Sequence, residues 1–342
     1  MLLVLLTVLM LSACTGGAAK TTAPAETSGS TAEGTAAAGT AAPEVKKIRV
    51  AMVLPGTIND EGWNAMAYSG LQTIANLGYE TKYSENVKTS DFESVFRGYA
   101  NQGYELIIGH GFDFFETAKQ IAADYPDTWF AITSTDQFVP PNVCSIDTNS
   151  MHAGFMSGVL AAKMTKTNVV ACVAGMEMPG ITRYVVGFEQ GAKYVNPDIV
   201  VKSTYTGSNQ DTDAMKQVTK AMIESGADII APNGNQAAIG AFEMVRDAKD
   251  VYIIGVYSDQ STLAPEKTLS SSMLSFPDAI VEVAKICGEG KLEAKSYAFG
   301  AEQGFVKMAP YLDVVPEDVR QYVADTLEKL SKGEIKVVFE EK

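Results

Sequence analysis

From Lys46 onward the hydrophobic pattern keeps changing period. Short runs rich in Val, Ile and Ala read as strands, and between them lie longer stretches whose apolar residues return every three or four positions, as on one face of a helix. Ile48 to Leu54 predicts a strand, and Asn64 to Leu77 a helix with Ala67, Leu71 and Ile74 on its inner face. Next come a strand near Tyr79 to Tyr83, a helix over Asp91 to Gln102, the strand Leu106 to Ile108, a helix over Phe114 to Asp124, and the strands Trp129 to Thr133 and Val143 to Asp147. After Met151 the pattern restarts with a helix to Met164, strand Asn168 to Ala174, helix Ile181 to Val195 and strand Ile199 to Tyr205. It continues through helix Asp211 to Ser225, strand Asp228 to Ala231, helix Gln236 to Ala248 and strand Tyr252 to Val256, and a last helix is predicted over Glu317 to Leu330.

Strands separated by helices predict parallel sheets covered on both faces, because a parallel pair needs a long crossover. Two such series in tandem predict an α/β chain of two similar Rossmann-like, doubly wound domains joined by a hinge, the plan of a type I periplasmic binding protein. The chain is expected to cross between lobes near Asp147 to Met151, Tyr257 to Ser261 and Lys291 to Ser296. That assigns residues 46–148 and 262–293 to the N-terminal lobe, and 149–261 and 294–335 to the C-terminal lobe.

Composition narrows the class. Of 342 residues 46% are hydrophobic and 20% charged, and 41 acidic against 27 basic side chains give a formal net charge of −14. Apolar content of that size excludes a disordered or collagen-like chain. The acidic surplus, with Lys and Arg scattered rather than striped, tells against nucleic acid as a partner. Leu2 to Ser12 is uncharged and apolar but short of the roughly 20 residues that cross a bilayer, so residues 1–14 read as a signal peptide. The run ends in Leu11-Ser12-Ala13-Cys14, which resembles the bacterial lipobox and implies lipidation of Cys14 and a membrane anchor on the extracytoplasmic face. Residues 15–45, almost wholly Ala, Gly, Thr, Ser, Pro and Glu, cannot bury enough apolar surface to order themselves and read as a disordered tether with a reach of about 30 Å. Cys144, Cys172 and Cys287 show neither zinc nor disulfide-framework spacing; buried free thiols are the default, with a pair among the three as the alternative.

Solutes in open α/β sheets bind at the carboxyl ends of the strands, which directs attention to the loops there. Pro55 to Asn64 holds Asn59, Asp60 and Asn64 as hydrogen-bonding groups and Trp63 as a flat stacking face, although capping by Asn59 or Asp60 and side packing by Trp63 would equally use them. Gly109 to Phe114 offers Gly111 for close backbone approach and Phe112 or Phe114 as a second ring, with ordinary core packing as the competing use. His110 and His152, the only histidines, lack Cys or carboxylates at ligand spacing; His110 reads as a loop histidine and His152, at the start of the next helix, likewise as no metal ligand, with no metal and no cofactor expected. No Gly-x-Ser-x-Gly elbow, Walker A loop, zincin motif or Cys-x-x-Cys pair is present, so no enzyme is expected; a nucleoside-processing hydrolase is the remote alternative.

The segment Asn59-Asp60-Glu61-Gly62-Trp63-Asn64 resembles the Asp-x-x-(Phe/Trp)-Asn signature of the basic membrane protein family, purine-nucleoside-binding lipoproteins of ABC importers. Similar matches run through Gly111-Phe112, Tyr125-Pro126-Asp127, Met178-Pro179, Gly187-Phe188, Tyr194 to Asp198, Gly226 to Ile229, Ile254-Gly255-Val256 with Ser258-Asp259-Gln260, and Gly304 to Pro310. Order and spacing hold over about Lys47 to Lys332.

The resemblance implies a receptor that closes on a purine and hands it to an ABC permease. Trp63, with Tyr184 or Phe112, would stack on the base; Asn59, Asp60 and Asn64 would bond its edge; Asn233 and Asn235 would line the far wall, with Tyr257 and Asp259 beside them. Nucleoside-binding members hold the ribose with an Asp and a Lys where this chain reads Tyr257 and Ser275, and His152 replaces a Glu. Ribose hydroxyls buried without those partners would cost about 1–3 kcal/mol each. A free nucleobase such as adenine therefore stands beside a nucleoside as the expected solute, with another small polar solute, or a membrane-tethered sensor role, as the alternatives.

Overall fold

The structure is a computed structural model and describes residues 46–59 and 63–339. The expected signal peptide, tether, Cys14 and Asp60 lie outside the described residues.

The chain folds as two α/β lobes, each built on a six-stranded sheet. The first lobe runs β1 (Arg49–Val53), α1 (Trp63–Asn76), β2 (Glu80–Ser84), α2 (Phe92–Asn101), β3 (Leu106–Gly109), α3 (Phe115–Ile121), β4 (Trp129–Thr133) and β5 (Val143–Thr148). The second runs α4 (Ser150–Met164), β6 (Val169–Ala174), α5 (Pro179–Val195), β7 (Val200–Tyr205), α6 (Thr212–Glu224), β8 (Ile229–Asn233), α7 (Ala238–Arg246), β9 (Tyr252–Tyr257) and β10 (Thr268–Leu274). Then follow α8 (Phe276–Gly288), β11 (Ser296–Phe299), β12 (Val306–Met308) and α9 (Glu317–Ser331). The strand orders are β11-β5-β4-β3-β1-β2 and β12-β10-β9-β8-β6-β7. Every pairing is parallel except β10 with β12.

Period two explains why each sheet has two cores. Along β1, Val50 and Met52, with Leu54 just beyond the strand, enter one core with Leu71 and Ile74 of α1 and Ile280 of α8, while Ala51 and Val53 enter the other with Phe92 and Phe96 of α2. The second sheet repeats the arrangement, with Cys172 facing α4 and α5 and Ala171 and Val173 facing α6 and α7.

Helices α4 and α5 touch backbone to backbone. A β-carbon on Gly154 would stand 2.0 Å from the Tyr184 carbonyl oxygen, and one on Gly187 2.1 Å from that of Met151. Gly158 and Gly191 repeat this one turn along, so four glycines let two helices approach more closely than any side chain permits.

β10 belongs to the second sheet, α8 packs on α1 in the first lobe, and β11 pairs with β5. The lobe boundaries expected at residues 262 and 294 are therefore displaced: the crossings lie at 148–150, 274–276 and 299–306. The cause is chemical. β10 reads as polar because of Ser270, Ser271 and Ser272, yet all three are buried with their hydroxyls bonded, Ser270 to the Ala309 carbonyl and Ser272 to Ser157. At the last crossing His152 Nδ1 accepts the Ala301 N–H at 3.2 Å, which ties α4 to the returning chain. Burial first, against the pull of Glu302, holds that imidazole below its ordinary value.

Candidate functional site

Each sheet reverses its winding direction once on its parallel strands, between β1 and β3 in the first lobe and between β6 and β8 in the second. Loops diverge at such a switch point and leave a crevice at the strands' carboxyl ends, where solutes bind in this class of sheet.

On the first lobe Trp63 opens α1 after the loop that follows β1, beside the switch point. Its half-buried indole stacks on His110 with ring centroids 4.2 Å apart and planes 25° apart, and tilts against Phe276 at 5.1 Å. Gly111 N–H donates to Thr133 Oγ1 at 2.9 Å, and that hydroxyl lies 3.1 Å from His110 Nδ1. His110 Nε2 lies 3.1 Å from the Trp63 carbonyl oxygen. A carbonyl only accepts, so this network assigns the ring proton to Nε2 and makes Nδ1 the acceptor of the threonine hydroxyl. The chain of bonds fixes the start of α1 against β3 and β4. His110, expected as a loop histidine, is fully buried and buttresses the indole.

Asn64 is buried over Gly56, where a β-carbon would stand 2.5 Å from Asn64 Nδ2, so it shapes the loop after β1. Asn59 is exposed, its N–H on Thr57 Oγ1 at 3.3 Å. Gly111 has φ of 133°, a backbone that favours glycine, and the next ring, Phe112, is 54% exposed at the rim.

On the second lobe the last residue of β8, Asn233, is 1% exposed, and neither Oδ1 nor Nδ2 has a hydrogen-bond partner among the described residues. Buried amides are almost always matched, and each unmatched group costs about 1–3 kcal/mol. Tyr257, at the end of β9, has φ of 71°, a strained conformation for a bulky residue. Burial pushes its phenol up to about 12, opposed by the nearby Asn233 amide and reinforced by the charge of Asp147. Asn235 and Asp259 are exposed, and Asp259 Oδ1 accepts the Ser261 N–H at 2.9 Å as an ordinary turn.

Tyr184 does not join this set. It is fully buried, its hydroxyl donates to Ser157 Oγ at 2.9 Å, and Ser157 in turn donates to Ser272 Oγ at 2.7 Å. The ring fills the second core beneath α5, which corrects its expected role in stacking: the side chain faces inward. The neighbouring Arg183, which drew no attention in the sequence, points the other way. Its Nη1 donates to Asp147 Oδ2 at 2.9 Å and its Nη2 to Asp136 Oδ2 at 3.0 Å, both in the first lobe. Burial, the largest effect, lifts the Asp147 carboxyl to about 6 against the pull of Arg183.

Among the described residues no cluster of three or more His, Cys, Asp or Glu is placed to hold a metal ion, and Cys144, Cys172 and Cys287 are free thiols. No described helix is long and apolar enough to cross a membrane.

Two α/β lobes, each on a largely parallel six-stranded sheet and joined by three crossings, give the fold of a type I periplasmic binding protein. Residues 47–341 match the family model described as ABC transporter substrate-binding protein PnrA-like, and the chain belongs to that family, the basic membrane proteins. It is 32% identical over 292 residues to the transcriptional activator protein Med of Bacillus subtilis (strain 168), covering 84% of this chain and 90% of that one. It is 28% identical over 302 residues to the ABC transporter nucleoside-binding protein BmpA of Lactococcus lactis, covering 82% and 86%. Its fold is shared with an ABC transporter solute-binding protein from Conexibacter woesei at a TM-score of 0.71 and 22% identity, over 85% of this chain and 98% of that one.

Proposed function

We propose that this substrate-binding protein captures a purine, as base or nucleoside, between its lobes at the outer face of the cell membrane, anchored through Cys14, and passes it to an ABC permease. The observation that carries the reading is Asn233: a carboxamide with donor and acceptor both buried and unmatched, at the second lobe's switch point. An amide presents donor and acceptor side by side, the pattern that pairs with the N6 and N7 edge of adenine, and a solute that fills both lifts the cost of leaving them bare. Across the cleft, Trp63 and the exposed Phe112 supply flat faces for a heteroaromatic ring. The nucleoside-binding relative from Lactococcus lactis supports the same class of solute. Closure would follow from solute contacts with both lobes, and the permease would read the closed surface.

A thermal-shift series with adenine, guanine, adenosine, guanosine, a pyrimidine nucleoside and a hexose tests this. At least one purine raises the melting temperature while the hexose does not; a series in which no purine does so removes the assignment. The similarity to a transcriptional activator from Bacillus subtilis favours a second reading, a tethered sensor using the same cleft. Uptake of radiolabelled purine lost on deletion of the gene supports transport, whereas unchanged uptake with altered transcription supports the sensor.

A further inference from the structure

Three crossings join the lobes. Away from them, among the described residues, the ion pairs and side-chain hydrogen bonds that run from one lobe to the other are those of a single residue, Arg183. The remaining ion pairs stay within a lobe, apart from His152 with Glu302 at the last crossing.

The sequence of α5 explains why Arg183 faces outward. Pro179 opens the helix at its first position, and Ile181, Tyr184, Val185 and Phe188 form the stripe buried in the second core. Arg183 lies off that stripe, and its guanidinium forks across the seam. One arm takes Asp147, the penultimate residue of β5, 16% exposed; the other takes Asp136, in the loop after β4, 63% exposed. A planar fork with two donors in fixed relation suits two separately held carboxylates, where an ammonium group would satisfy one at a time.

We infer that Arg183 is the positioning residue for lobe closure: it holds the two lobes in the approach seen here by gripping Asp136 and Asp147 at once. The inference does not depend on which solute is bound. Asp147 is faced by Arg183 from α5, Asp136 from its own lobe and Tyr257 from β9, and its Oδ1 accepts its neighbour Thr148 N–H at 2.9 Å. Opening returns the carboxylate to water and frees the guanidinium. Removing Arg183 instead leaves Asp147 buried at the seam without the cation that faces it, which favours opening.

Single-molecule energy transfer between dyes at the exposed positions 119 on α3 and 220 on α6 reads lobe separation in the full chain with no solute added. R183Q is expected to lower the ratio of close to separated molecules by at least about tenfold, and D136N, which cuts the exposed arm, by about two- to fivefold. Raising NaCl from about 50 to about 500 mM shifts wild type toward separation and leaves R183Q where it was. R183K recovers part of the wild-type distribution. Acidifying R183Q from about pH 7.5 to about pH 5 restores close molecules, because the uncompensated carboxyl at position 147 then takes up a proton. If R183Q, folded by circular dichroism, gives the wild-type distribution at both salt concentrations, the inference is wrong. Should R183Q not fold, D136N on the exposed arm decides: an unchanged distribution overturns the inference.

Discussion

Replacing Asp147 by Asn alters one atom and removes one charge at the seam, so its effect on stability is a pure test of how that carboxyl is held. Burial raises its titration from an ordinary value of 3.8 to about 6, and the attraction of Arg183 recovers only part of the loss. A group whose pKa is raised on folding binds its proton more tightly in the native state. Its favourable contribution is complete below about pH 4 and disappears as pH rises through about 6. Two pKa units at 1.36 kcal/mol each set the ceiling near 3 kcal/mol. Urea unfolding of wild type and Asp147→Asn from pH 4 to pH 8 is the assay. Wild type should lose about 2–3 kcal/mol against the variant across that range, with half of the change reached near about pH 5 and little left above about pH 6. A difference independent of pH would mean that Arg183 fully offsets burial, and one in which wild type gains as pH rises that it outweighs burial; either would refute the reasoning.

Three further substitutions separate folding from binding. Gly187→Ala drives a methyl toward the Met151 carbonyl oxygen, 2.1 Å from the ideal β-carbon, and should cost about 3 kcal/mol or more by forcing α4 and α5 apart, read as a lowered melting temperature. Asn233→Leu removes the unmatched amide at similar volume; thermal melts should show stability unchanged or raised by about 1 kcal/mol, while calorimetric titration with the best purine shows affinity reduced at least about tenfold. Tyr184→Phe takes away the donor to Ser157 and should cost about 1 kcal/mol in unfolding with solute affinity unchanged; a loss of affinity would return Tyr184 to the cleft.

The contrast between Tyr184 and Arg183 shows where one chain's sequence stops being readable. The α/β series was legible because its signal is local: β1 alternates Val50 and Met52 against Ala51 and Val53, and α1 repeats Ala67, Leu71 and Ile74. The loops at the strands' carboxyl ends were legible too, since each follows a strand that periodicity marks; Trp63 opens the helix after one of them and Asn233 ends β8 at another. Tyr184 and Arg183 are adjacent on one helix, and the helical stripe of Ile181, Tyr184, Val185 and Phe188 already puts the tyrosine in the core; what no periodicity encodes is the partner that Arg183 meets on the other side. Arg183 finds its carboxylates 36 and 47 residues away in sequence, on the other lobe. β10 escaped notice for a related reason, because Ser270 to Ser272 are polar by composition and become core residues only once Ala309 and Ser157 accept or supply their bonds. His110 looked unremarkable until Thr133 and the Trp63 carbonyl were placed on its two ring nitrogens.

The most direct measurement is the identity of the small molecule that leaves the purified full chain when it is denatured, read by mass spectrometry with an ultraviolet spectrum of the released fraction. A purine base or nucleoside, in near-stoichiometric amount and reduced in Asn233→Leu, is the expected result. A sugar, an amino acid or a peptide released in that amount, and equally from Asn233→Leu, would contradict the proposal that the cleft grips a flat heteroaromatic ring by its edge.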